Sequence, residues 1–490
     1  MTASLIVPLV VVLPLVSALF VFLLRKRHPA SSGLLALVTT GVVFILAGRL
    51  AALAGQAEVV VFQLEGLSLA VDRIAALLLL VFAGVSFTVL LFAQGLLGLE
   101  IAPRIVPRYY GVFLVLLASL MAVTVSDDLF SMYIFLEVVM VCAAVLVAAK
   151  GDKDSTQAAV RYLILNMVGS GVLLMGIAGL YVGTGHLQLS RVAEALPQAV
   201  SSYSLDILAS IAMIMVGTAV KSALFPLHSW LPDAHGSAAT PSSVVISGLL
   251  VKVNIVFLLK LLTQALPIDF AAQLPLKPIL LVMSSAAILG GSLLALKQTD
   301  IKRMLAYSTA AQVGYIFLGV GLMNENSLTG SVFHILNHAV VKGMLVLAAG
   351  SIMKLTGRRR IADFAGVGRR FPLPMVVFTI GALSMVGVPP LSGFTSKWYL
   401  ALGALAEGRA VLVGVLLLSS LLNAAYYLPI AIAAFFRSGK DIEQHIELTT
   451  GAKVSMLVLA VACVLIGLFS NVTVDFVQPA VHRLFLGGGA

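Results

Sequence analysis

The sequence predicts an all-α polytopic membrane protein with about 14 transmembrane helices, and three observations carry that expectation. Of 490 residues, 60% are hydrophobic and only 11% are charged, against roughly 25% charged in a soluble domain. The apolar residues fall in long runs separated by short connectors. Inside those runs stand five charged side chains: Glu137, Lys221, Lys252, Lys342 and Lys397.

A span needs about 20 mainly apolar residues. Runs that meet this lie near 4–24, 33–54, 75–98, 109–126, 128–149, 158–183, 206–226, 241–262, 278–296, 303–323, 328–353, 372–402, 410–436 and 454–470. No hydrophilic stretch is long enough to bury a core of its own, so one membrane domain over residues 1–490 is expected, without a soluble catalytic module. The first run has no basic residue before it, no small-residue cleavage pattern and a basic cluster after it. It reads as a retained helix, not a signal peptide.

The net charge of +10 does not point to nucleic acid, because of where the charge sits. Lys and Arg collect after the odd-numbered spans: Arg25, Lys26 and Arg27; Arg104 and Arg108; Lys150, Lys153 and Arg161; Lys297, Lys302 and Arg303; Lys354, Arg358, Arg359, Arg360, Arg369 and Arg370; and Arg437, Lys440 and Lys453. The even-numbered connectors carry only scattered charges, and the loop at 227–240 breaks the pattern by having none of either basic residue. By the positive-inside rule both termini lie on the non-cytoplasmic side of the cell inner (plasma) membrane.

Two cysteines, Cys142 and Cys463, fall in apolar spans and leave no disulfide framework or cluster spacing. No Walker loop or dinucleotide fingerprint is present, so neither a nucleotide cofactor nor a metal is expected. No catalytic centre is visible in the chain, and any enzyme class would be that of a translocase to which it contributes a subunit.

A charge in hydrocarbon costs at least ~3 kcal/mol on insertion scales, so it persists where it faces protein or a water path. Glu137 sits in SMYIFLEVVMVCAAVLVAA, and burial there disfavours its charged form unless a cation is near. Lys221 lies five residues before Pro226, beside a helix break, with snorkelling to the interface as its alternative. Lys260, near the end of its span, fits snorkelling and is left out of the path. Lys252 has apolar residues for two turns on either side, out of reach of water, and reads as a proton relay.

In FHILNHAVVKG, His334, His338 and Lys342 recur at i, i+4 and i+8 and share one helix face. Two histidines four apart can hold zinc, but no glutamate accompanies them and a lysine continues the stripe, which favours a proton wire. Lys397 follows Pro389, Pro390 and Gly393, a second break beside a second lysine. Paired breaks in corresponding positions mark inverted repeats. Here they delimit 109–262, spans four to eight, and 278–436, spans nine to thirteen, with broken seventh and twelfth helices.

HSWLPDAHGSAATPSSV, LKQTDIKRMLAYSTAAQVGY, HILNHAVVKG and GVPPLSGFTSKWYL resemble the antiporter-like subunits shared by respiratory complex I, Mrp-type cation/proton antiporters and energy-converting hydrogenases. The resemblance covers roughly residues 100–430 and implies 14 helices, two inverted five-helix repeats and a mid-membrane line of buried charges. Glu137 and Lys221 resemble the family's switching ion pair, Lys252 its central lysine, His334 and His338 the histidines of its eleventh helix and Lys397 its terminal basic residue. His228 and His235 fall in its histidine-bearing loop. Little sequence follows the fourteenth span, so the long lateral helix of the largest complex I homologue is not expected.

The implied function is a proton-translocating subunit of a multisubunit membrane complex, most like the D-type subunit of Mrp-type Na+/H+ antiporters. The alternative is the pumping subunit of a redox-driven complex of hydrogenase or NADH-quinone oxidoreductase type. Its expected partners are other integral membrane subunits, lipid and protons, with Na+ in an Mrp-type assembly. A stand-alone transporter would need a roomy substrate cavity, and a scaffold would have no use for five buried charges; the line of titratable residues favours neither.

Overall fold

Broken helices, not continuous ones, organise this membrane protein. The structure, a computed structural model, describes residues 3–24, 31–57, 59–64, 67–266, 276–439 and 446–485. Arg25, Lys26, Arg27 and Lys440 of the basic connectors lie outside the described residues.

In chain order the helices are α1 (Ala3–Leu24), α2 (Ser31–Ala57), α3 (Arg73–Ala93), α4 (Val106–Val125), α5 (Leu129–Ala148), α6 (Lys153–Thr184), α7 (Leu189–Lys221) and α8 (Trp230–Ser237). Then come α9 (Thr240–Ala265), α10 (Leu276–Leu296), α11 (Ile301–Leu322) and α12 (Glu325–Thr356). The last are α13 (Pro372–Val386), α14 (Ser392–Ala406), α15 (Ala410–Phe436), α16 (Thr450–Leu468) and α17 (Ser470–Phe485). Among the described residues, 13 helices are long and apolar enough to cross a membrane. The twelfth expected span falls short because it is split into α13 and α14.

Polar residues fix where the helices start. Asp72, Asp128, Asp152 and Asp300 each accept a hydrogen bond from the backbone amide three residues on, at 2.7–2.9 Å, which satisfies one of the orphan donors of a first turn. Asn324 and Ser327 form a reciprocal capping box at the head of α12. A hairpin of β1 (Val59–Leu64) and antiparallel β2 (Leu67–Asp72) precedes α3, an element that the composition of that connector did not signal. Its Ser68 hydroxyl donates to Asp127 at 3.2 Å, tying the hairpin to the turn before α5.

Two helices lie inside over their most apolar lengths. The most apolar windows of α9 and α12 are completely buried, whereas those of α1, α2, α15 and α16 are 33–39% buried. Glycine lets neighbours approach where no hydrophobic drive exists between helices in lipid. A Cβ on Gly217 of α7 would lie 2.7 Å from the Gly169 carbonyl of α6 and one on Gly291 of α10 2.7 Å from the Ala311 amide of α11.

The seventh crossing breaks between Lys221 and Trp230, and the twelfth between Val386 and Ser392. Each break leaves carbonyls that water cannot satisfy at membrane depth. At the first, the Trp230 indole donates to Val220 O at 2.9 Å and the Asn254 amide to Lys221 O at 3.0 Å. At the second, Lys397 Nζ donates to Met385 O at 2.8 Å and Val386 O at 3.0 Å. A cation at a helix C-terminus also complements the dipole.

The glycine contacts give a paired test. Gly217→Leu is expected to lower stability by about 1–3 kcal/mol through overpacking, read as a lower melting temperature in detergent. Gly171→Ala, where a Cβ meets nothing within 4 Å, is expected to melt with the parent.

Candidate functional site

The intramembrane charges fall into three clusters along the molecule. In the first, Lys221 ends α7 and is 2% exposed, and its Nζ lies 2.9 Å from Glu137 Oε1 of α5. Lys221 also donates to the Ser170 hydroxyl of α6 at 2.6 Å, and that hydroxyl donates to the same carboxylate oxygen at 2.5 Å. The three groups close a triangle in which the ammonium and carboxylate are paired twice, directly and through the hydroxyl. Snorkelling, the alternative for Lys221, is therefore not what the side chain does.

The second cluster sits between α9 and α12. Residues Ile246–Leu250 form a π-helical turn inside α9, the kind of local widening found at functional sites. Lys252 is fully buried and its Nζ donates to the Ser247 carbonyl of that turn. From α12, Lys342 donates to Leu305 O at 2.9 Å, Ser308 Oγ at 2.9 Å and Tyr427 OH at 3.2 Å. No carboxylate touches either lysine among the described residues; carbonyls and hydroxyls alone solvate them.

The third cluster continues along α12. His338 and His334 stack with ring centres 6.0 Å apart, and His334 stacks on Tyr315 at 5.2 Å. His334 Nδ1 lies 2.9 Å from the Ser396 hydroxyl of α14, one residue before Lys397. Lys397 donates to Ser420 Oγ at 2.9 Å as well as to the two carbonyls of α13, and it sits 5.2 Å from the Tyr315 ring centre. Electrostatic interactions join the second and third clusters: His338 interacts with Lys252, Lys342 and His334, and His334 with Lys397 and Lys252.

The stripe His334, His338 and Lys342 thus shares one buried face, as the spacing predicts, but its two ends diverge. His334 leads to Lys397, while Lys342 leads to α11 and α15 and interacts with His235 of α8. Both ring nitrogens of His338 lack a protein hydrogen-bond partner, so water is what can bond them.

Lys260 corrects the sequence reading. It is 6% exposed, and its Nζ donates to Ser126 O at 2.7 Å, where α4 ends. It does not snorkel; Asp72 and Asp127 lie within its electrostatic reach, so two nearby acids and a capped carbonyl hold it inside. Lys302, read as a connector charge, is also buried and donates to Ala238 O at 2.7 Å at the end of α8. Sequence reasoning also passed over Ser170, Ser308, Ser396, Ser420, Tyr315 and Tyr427. A lone hydroxyl residue in an apolar run has no distinguishing pattern, since it can satisfy itself on the carbonyl one turn back.

Near the basic end of α8 a cavity of about 620 Å³ is lined by Asp233, Arg161, Arg303, Arg359 and Asp152 among others. Partial burial works to raise the Asp152 pKa, but hydrogen bonds from Ser155 and the Lys150 ammonium at 3.0 Å outweigh it and hold the carboxyl down to about 2. A folded-state pKa below the unfolded value of about 3.9 stabilises above about pH 4, and that contribution is lost as pH falls through about 2. Asp152→Asn keeps the helix cap without the titration. Its melting temperature is expected to fall less than the parent's between about pH 5 and pH 2.

Residues 126–423 match the family described as NADH:quinone oxidoreductase/Mrp antiporter, TM. The N-type subunit of NADH-quinone oxidoreductase from Desulforudis audaxviator is 37% identical over 83% of this chain and 83% of its own. The D-type subunit of the Na+/H+ antiporter from Alkalihalophilus pseudofirmus is 27% identical over 93% of this chain and 92% of its own. A chain of the membrane-bound sulfane sulfur reductase, described as an archaeal respiratory membrane complex, superposes with a TM-score of 0.90 at 29% identity, covering 98% of this chain and 97% of that one.

Proposed function

Because the chain belongs to the NADH:quinone oxidoreductase/Mrp antiporter transmembrane family, we propose that the polar axis from Glu137 to Lys397 carries protons and that this antiporter-like subunit works inside a larger membrane complex. The observation that carries the reading is the run Lys252, His338, His334 and Lys397. Its members interact electrostatically, yet no acid neutralises them among the described residues. Two cations about 8 Å apart repel by about 2 kcal/mol at an effective dielectric near 20. A proton gained at one site therefore favours release at the next without any large domain motion.

The Glu137–Lys221 pair acts as the switch. While Lys221 is held by Glu137 and Ser170, its charge is compensated; when the carboxylate is neutralised, the ammonium becomes an unpaired charge in the interior. Two units, 109–262 and 278–436, related as inverted repeats, would place the two half-channels at the breaks 222–229 and 387–391 and open them to opposite sides. The odd number of helices per unit supports opposite orientation. Basic connectors on one side support an orientation with both termini outside the cytoplasm, in the cell's plasma membrane.

Glu137 also supports partners. Its side chain is 26% exposed and lies on the outward face of α5 between Phe130, Ile134, Val141 and Val145. A carboxylate is costly against lipid, so a neighbouring subunit fits that face better than acyl chains do. The motifs most resemble the D-type subunit of Mrp antiporters. A redox-driven complex is the second reading, favoured by the greater identity to the quinone oxidoreductase relative of the two curated relatives and by the sulfane sulfur reductase likeness.

Proton flux into everted vesicles containing the whole complex tests the function, started in parallel by Na+ and by NADH to separate the branches. Glu137→Gln and Lys221→Met are each expected to abolish flux, because the first leaves the buried Lys221 ammonium uncompensated, worth roughly 3–5 kcal/mol, and the second removes the charge that is switched. His334→Gln/His338→Gln keeps hydrogen bonding without titration and is expected to stop flux as well. Parent-like flux in the single variants removes the switch, and parent-like flux in the double variant removes the wire.

A further inference from the structure

We propose that Arg161, Asp233 and Arg303 form a charge clamp that closes the basic-face mouth of the proton path beside His235 of α8. The proposal rests on the reading of the axis as a proton path and adds the gate at its entrance.

The Asp233 carboxylate has both oxygens engaged by arginines from different helices. Oδ2 pairs with Arg161 Nη1 of α6, and Oδ1 with Arg303 Nη2 of α11 at 2.6 Å. Since α6 belongs to the first half of the chain and α11 to the second, the clamp bridges the two halves through α8. All three side chains line the 620 Å³ cavity.

His235, two residues further on, is fully buried and interacts electrostatically with Lys302 and with Lys342 of the axis. One eight-residue helix therefore separates the open cavity from the titratable line.

Both ends of α8 are anchored. At its C-terminal end Arg359 Nη2 donates to Gly236 O at 2.6 Å and Lys302 Nζ to Ala238 O at 2.7 Å. At its N-terminal end the buried Trp230 donates to Val220 O at 2.9 Å and packs on Tyr162 of α6 with ring centres 4.9 Å apart. The helix is thus the fixed side of the gate, and the arginine side chains of the clamp are the parts that swing aside.

The clamp is also weak enough to open. Arg161 and Arg303 are 62% and 51% exposed and Asp233 is 22% exposed. Charge pairs at such sites together shift an equilibrium by a factor of roughly ten. A permanent tie between two halves of a membrane protein would be buried and tighter.

The test uses the whole complex in everted vesicles, basic face outward, with Cys142→Ala/Cys463→Ala as background. Position 235 is probed by His235→Cys and a membrane-impermeant methanethiosulfonate. Labelling is expected to be slow with the clamp intact and roughly tenfold faster when Arg161→Gln/Arg303→Gln is added; Asp233→Asn serves the same purpose if the double variant does not assemble. In a second arm, with His235 retained, Arg161→Cys/Asp233→Cys is bridged by a short bis-methanethiosulfonate. Flux is expected to stop and to return on reduction.

Equal labelling rates with and without the clamp, or unchanged flux after complete bridging, overturn the proposal. Absence of flux in the unmodified complex would instead defeat the proton-path reading, while the labelling arm still decides whether the clamp controls access.

Discussion

Everything in this molecule follows from one constraint: a helix cannot be interrupted at membrane depth unless its freed carbonyls find donors. Among the described residues the seventh and twelfth crossings are interrupted, and they solve the problem in two ways. At the first break neutral donors, Trp230 and Asn254, take Val220 O and Lys221 O, which leaves the ammonium of Lys221 to pair with Glu137. At the second, Lys397 itself caps α13. Similar breaks thus give their lysines different electrostatic partners, an acid in one case and helix-terminal dipoles in the other.

That difference distinguishes the two ends of the proposed proton path. Lys221 is held by a group that can lose its charge, so its environment can be switched; Lys397 is held by carbonyls that cannot. Between them Lys252 and Lys342 are solvated by Ser247 O, Leu305 O, Ser308 and Tyr427. These partners are all hydrogen-bond acceptors for an ammonium, and the hydroxyls can in addition donate to a neutral amine. Lys342 can therefore exist with or without a proton in an unchanged cage, while the Ser247 carbonyl accepts an N–H of Lys252 in either state. A fixed carboxylate at each site would hold the charged form and block transfer.

The architecture and the site differed in how far the sequence revealed them. Apolar runs located the spans, and prolines at 226, 389 and 390 marked the breaks, because the cost of burying polar backbone or side chains is large enough to dominate local composition. The charged members of the axis were visible for the same reason. Their hydroxyl partners were not, since Ser170 or Ser308 in a helix is compatible with almost any environment. Lys260 and Lys302 were misread because closeness to a span end says nothing about what covers it; here Ser126 O and Ala238 O draw them inward. The hairpin Val59–Asp72 and the one-sided first part of α7, before its kink at Tyr203, lie in connectors where hydropathy alone carries little information.

The central claim is that Lys252 must give up its proton, not merely carry a charge. Arginine keeps a positive charge but does not deprotonate at accessible pH. Proton flux in vesicles should therefore be measured for Lys252→Arg beside Lys252→Met, with assembly of both complexes verified. Both variants are expected to be equally inactive. Parent-like flux from the arginine variant would contradict that claim and reduce the axis to a fixed electrostatic field.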